Sequence, residues 1–161
     1  MRKSLLILLA FGFSAGCQST GQAAPDGAAA REALMPVTIA SGRARHVYKV
    51  EFAVTPAEQA RGLMYRSSLA PDHGMLFPFR PARRTSFWMK NTLIPLDIIF
   101  IRADGTIARI AEQATPLSLE PIDSGESVAA VLEIVGGGVA AAGISVEDRV
   151  SWPGGPKPVR D

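Results

Sequence analysis

The apolar positions of the chain fall into short runs punctuated by Gly, Pro, Asp and Asn. Residues 47–54 alternate loosely and are rich in β-branched and aromatic side chains, which predicts a strand. The run stops at Thr55-Pro56-Ala57-Glu58. Thr55 suits an N-cap, Pro56 the first helical position and Glu58 the reciprocal place of a capping box. A helix is therefore predicted to run to about Tyr65, turning Ala57, Ala60, Leu63 and Met64 towards the core. Met75–Phe79 and Ser86–Met89 predict two short strands. Leu96–Ile101 is apolar except for Asp97 and predicts a buried strand. Asp104-Gly105 turns the chain into residues 106–111, a strong hairpin signal. A strand over 127–135 follows, then Gly136-Gly137-Gly138, a short helix through Ala142 and a last strand near 149–152. Six or seven strands with two short helices predict a mainly β (α+β) fold, a compact curled or barrel-like sheet.

The N-terminal pattern is different. Arg2 and Lys3 precede an apolar run from Leu5 to Phe13, too short for a bilayer of roughly 30 Å but suited to a signal peptide. It ends in Ser14-Ala15-Gly16-Cys17, which resembles a bacterial lipobox except for Ser14, where Leu is usual. In that motif the cysteine is lipidated and becomes the mature N-terminus. We expect residues 1–16 to be a lipoprotein-type signal peptide, the alternative being ordinary signal-peptide cleavage further along, and residues 17–36, poor in large apolar side chains, a flexible tether. Residues 37–152 form the expected folded domain and residues 153–161 a disordered tail. The expected location is exported and periplasm-facing, with a membrane contact through lipid on Cys17.

Composition and charge narrow the possible functions. The 161 residues are 47% apolar and 20% charged, which suits one globular domain and excludes a coiled coil or collagen-like repeat. The formal charge is +2, but residues 1–16 carry Arg2 and Lys3 and no acid. Beyond them, 15 acidic side chains face as many basic ones. Generic nucleic-acid binding needs a net basic footprint and loses its support. The single cysteine excludes an internal disulfide and a multi-thiolate metal site, and as an anchor it would leave the domain without a thiol nucleophile.

Several motifs follow in order: Gly62-Leu63-Met64-Tyr65-Arg66, Gly74-Met75-Leu76-Phe77-Pro78-Phe79, Phe87-Trp88-Met89-Lys90-Asn91-Thr92, Pro95-Leu96-Asp97 and Val131-Leu132-Glu133. This set resembles the domain of unknown function 192 (DUF192) family over nearly the whole folded region. The resemblance implies a compact, mainly β domain with short helices, found in bacterial envelopes and in archaea. It brings no assigned activity, substrate or catalytic residues. Gly136-Gly137 and Glu147-Asp148 depart from the family pattern.

The residues themselves suggest two kinds of site. In the stretch 87–92, Phe87 and Trp88 place two aromatics beside Lys90, Asn91 and Thr92, as a ligand cleft requires, with Arg61 and Arg66 as further binding candidates. Asp97 and Glu133 each sit in an apolar run, where a carboxylate must be paired, hydrogen-bonded or protonated. They are either structural carboxylates or, if they converge, an acid–base pair of a hydrolase or transferase acting on an anionic envelope substrate. Residues 61–90 hold six basic side chains against Asp72 alone, with Arg80, Arg83 and Arg84 on a Pro-punctuated loop. That stretch either pairs with acids elsewhere or forms an anion site. Met64, Met75 and Met89 with His73 fit core packing better than a copper site, and Gly136-Gly137-Gly138 is a tight turn or a backbone anion cradle. No cofactor is implied. The expected partners are the membrane and a small or anionic envelope ligand, within an uncharacterised binding or accessory domain.

Overall fold

A computed structural model describes residues 34–156. The expected signal peptide, Cys17 and most of the tether lie outside the described residues. Among the described residues, nine strands and two short helices form the mainly β fold expected from the apolar pattern. The strands are β1 (Met35–Ser41), β2 (Ala44–Phe52), β3 (His73–Arg83), β4 (Ser86–Phe87), β5 (Leu96–Ile101), β6 (Ile107–Ala114), β7 (Ile122–Asp123), β8 (Val128–Val135) and β9 (Arg149–Ser151). The helices are α1 (Pro56–Arg61) and α2 (Gly138–Ala142). Seven strands make one sheet in the order β6-β5-β8-β3-β2-β1-β9, and β4 pairs with β7 in a small second sheet. Neighbours in the large sheet are antiparallel except β2 and β3. The sheet curls until its edge strands meet at one end, where Thr106 bridges Arg149 and Val150 donates its N–H to Gly105 at 2.8 Å.

Every residue of β5 is buried, because apolar clusters cover both of its faces. On one side Ile99 and Ile101 pack with Val37, Leu132 and Ile134. On the other, Leu96, Ile98 and Phe100 pack with Met75, Phe77 and Val131. Two-sided burial explains the continuous apolar run, and each such side chain contributes about 1.5–3 kcal/mol.

Three local expectations change. α1 starts as predicted: Glu58 Oε2 accepts from Thr55 N at 2.7 Å, and Thr55 Oγ1 accepts from Glu58 N at 3.2 Å. It ends at Arg61 rather than near Tyr65, because Gly62 takes φ 48° and Tyr65 φ 63°. Ala57 and Ala60 are exposed, and only Leu63 of the four expected core residues is fully buried. The strand expected over Ser86–Met89 shortens to two residues. At the N-terminal side, Met35 already pairs with Val50, so the first strand begins inside the expected tether.

Candidate functional site

Asp97 is the second residue of β5 and has no solvent exposure. Its Oδ1 accepts the backbone N–H of Gln113 at 2.7 Å and of Gly137 at 3.1 Å, and its Oδ2 accepts that of Val139 at 2.8 Å. The glycine turn thus does cradle an anion, and the anion is Asp97. Gly136 is pressed so close to Pro95 that a Cβ would lie 2.9 Å from its Cβ, while Gly137 takes φ 87°. The carboxylate ties β5, the end of β6 and the entry to α2 together, which is a fold-fixing task.

Glu133 lies in the next register position but on the other face. In the β5–β8 ladder Ile98 pairs with Glu133 and Asp97 with Ile134. Paired residues share a face and successive ones alternate, so the two carboxyl groups point to opposite sides of the sheet. Tyr48, in the cluster on the Asp97 side, has its hydroxyl pushed up by burial and, secondarily, by the charge of Asp97. The acid–base pair expected of a hydrolase or transferase therefore does not form, since the sheet separates its members.

Glu133 is 5% exposed and has no hydrogen-bond or ionic partner among the described residues. Burial pushes its carboxyl up to about 8, with no cation pulling it down. It opens on a cleft of about 290 Å³ whose walls include Phe77, Phe79, Phe87 and Trp88 and whose charged lining residues besides Glu133 are Arg61 and Arg83. Met75, Phe77 and Phe79 share one face of β3 by period 2, and Met75 pairs with Glu133. Phe77 and Phe87 meet edge to face at 5.0 Å. Gln59 Nε2 donates to Ala53 O at 3.1 Å and Pro78 O at 3.3 Å, which fixes α1 against β3.

The fold divides the sequence candidates. Arg61, Trp88, Thr92 and Glu133 line the cleft; Arg66, Lys90, Asn91 and Asp97 do not. Trp88, 49% exposed, stands partly in solvent, with Lys90 Nζ 5.1 Å from its ring centroid. Asn91, at φ 56°, donates Nδ2 to Tyr65 Oη at 2.8 Å and so joins two loops beside the cleft. Arg66 forks onto Glu51 at 2.7 and 2.6 Å. Arg83, which the sequence suggested only as part of a basic loop, lies over the Phe79 ring at 4.6 Å. Phe87, one of the two aromatics of the stretch 87–92, does line the cleft; Phe77, Phe79 and Gln59 were missed, although the alternation of Met75, Phe77 and Phe79 carried the signal. Met75 and Met89 are buried in the core, and His73 pairs with Asp72. Among the described residues no three His, Cys, Asp or Glu group to hold a metal.

The model of the DUF192 family, described as an uncharacterised ACR, matches residues 37–152. The chain belongs to the DUF192 family. A solved structure from Sinorhizobium meliloti 1021, provisionally described as a transcription regulator, is 47% identical with a TM-score of 0.74, covering 76% of this chain and 96% of that one. A protein of unknown function from Novosphingobium aromaticivorans DSM 12444 is 42% identical, also with a TM-score of 0.74, covering 81% of this chain and 94% of its own. No curated protein matches. The DUF192 fold is thus shared with solved relatives, while the family's activity is unassigned.

Proposed function

We propose that this DUF192 protein is an exported, lipid-anchored domain of the cell envelope that binds a small ligand in the cleft over Glu133. The observation that carries this reading is the carboxyl of Glu133, buried without a partner among the described residues where the cleft opens. Burying an unpartnered carboxyl is costly, and an apolar side chain of similar size would avoid the cost. Such a group is a liability in an empty core and an asset in a pocket whose ligand completes its hydrogen bond. The aromatic walls supply contact area, and α1 with its following turn closes one side. The leader pattern and Cys17 support export and anchoring.

A thermal-shift panel of envelope glycans, nucleotides and lipid headgroups tests the binding role. At least one class is expected to raise the Tm of the wild-type protein, and Trp88→Ala, a change at a half-exposed side chain, is expected to remove that shift while leaving the ligand-free protein folded. A panel with no shift, or a shift that Trp88→Ala leaves intact, would contradict it.

A further inference from the structure

The chemistry of the cleft also indicates the class of its ligand. Of the six basic residues in the stretch 61–90, Arg66 alone has an acidic partner among the described residues. Arg61 and Arg83 line the cleft, where Glu133 is the one acidic side chain, and neither has an ion-pair partner among the described residues. Across the sheet, the strand neighbours of Glu133 are Met75 and Ile98, both apolar. The site therefore combines two uncompensated guanidinium groups, aromatic walls and one buried carboxyl. A carboxyl that keeps its proton has one O–H to donate and adds no charge to oppose an anion. Guanidinium groups match a carboxylate or phosphate in geometry and charge. A cationic ligand would face repulsion from both arginines. The ring faces of Phe79 and Trp88 are already in contact with Arg83 and Lys90, which weakens the case for an aromatic cage around an ammonium.

We propose that the cleft takes a flat organic anion whose acidic group meets Arg61 and Arg83, whose apolar body lies against the phenylalanines and Trp88, and whose carbonyl oxygen accepts a hydrogen bond from Glu133. This rests on the reading of the cleft as a ligand site and adds the ligand's charge and its two polar ends. The charged groups lining the cleft are Glu133, Arg61 and Arg83, and the arginines stay charged throughout the accessible pH range. Binding therefore weakens as pH rises and Glu133 loses its proton, since the donor disappears and a negative charge replaces it.

Three probes test this by calorimetric titration of the purified protein: 4-acetylbenzoate, benzoate and 4-acetylbenzylamine. At pH 6.5 we expect 4-acetylbenzoate to bind at least fivefold more tightly than benzoate, and the amine to bind more weakly than either. Arg61→Met or Arg83→Met is expected to weaken 4-acetylbenzoate at least fivefold. Glu133→Leu is expected to abolish its advantage over benzoate, while Glu133→Gln, whose amide still donates, keeps the advantage and loses the decline above pH 8. Urea unfolding of each variant verifies that it is folded. Tighter binding of the amine would overturn the proposed ligand class and leave the cleft as a binding site. Carboxylate binding indifferent to Arg61, Trp88 and Glu133 would overturn the class and the site together. Failure of all three probes at 10 mM would overturn the aromatic-anion class, with the thermal-shift panel deciding separately on the cleft.

Discussion

Asp97 accepts three amide N–H groups while fully buried, so removing its side chain leaves three donors without a partner. Each unsatisfied buried donor costs about 1–3 kcal/mol. Asp97→Ala is expected to lose about 3 kcal/mol or more in urea denaturation, and a loss under about 1 kcal/mol would show that the cradle does not hold the fold. Glu133 acts in the opposite sense. Its carboxyl is raised to about 8 in the folded protein from the ordinary 4.5. Between those values the folded chain keeps a proton that the unfolded chain has released. Stability therefore falls as pH rises, by about tenfold in the folding equilibrium per pH unit, and this contribution is flat on either side of the window. Comparing wild type with Glu133→Gln isolates it: the variant is expected to lack that slope, and an unchanged slope would assign the pH dependence to other groups. In the sequence these two carboxylates look alike. Their separation depends on the pairing of Ile98 with Glu133, and a strand's partners cannot be read from its own residues.

At the scale of elements, α1 builds one wall of the cleft, and its start rests on the reciprocal bonds of Thr55 and Glu58. Thr55→Ala is expected to cost about 1 kcal/mol in denaturation and to speed amide exchange over 57–61, whereas exchange that stays at the wild-type rate would mean tertiary packing alone holds the helix. Its beginning was legible because a capping box is local chemistry. Its end was not, because Gly62 at φ 48° breaks the helix inside a stretch that still reads as periodic. The β5–β6 hairpin was equally legible from Asp104-Gly105, and β5 and β8 from their apolar runs. β1 escaped notice because Thr38, Ala40 and Ser41 dilute its alternation next to an Ala- and Gly-rich stretch. Of the site, Arg61, Phe87, Trp88, Thr92 and Glu133 were visible as residues. Phe77 and Phe79 read as ordinary core, since only the curl of the sheet and the seating of α1 leave a gap beside them.

For the whole molecule, two of the six basic residues of the stretch 61–90, Arg61 and Arg83, come to line one cleft. Lys49 pairs with Asp72, and Arg102 with Glu126 and Glu147, but the cations lining the cleft keep no acidic partner among the described residues. The N-terminal pattern adds a prediction at this scale. Full-length protein expressed in a bacterium is expected to fractionate with membranes and to incorporate labelled palmitate, and Cys17→Ala to do neither. Label retained in Cys17→Ala would move the attachment elsewhere. The central claim is that the fold holds Glu133 almost wholly buried, without a partner among the described residues, beside a space a ligand can fill. A ¹³C NMR titration of the glutamate Cδ resonances in the ligand-free protein, assigned by Glu133→Gln, tests it most directly. We expect the Glu133 midpoint near 8. A midpoint in the ordinary carboxylate range, near 4.5, would mean a solvated or paired carboxylate and would contradict the account.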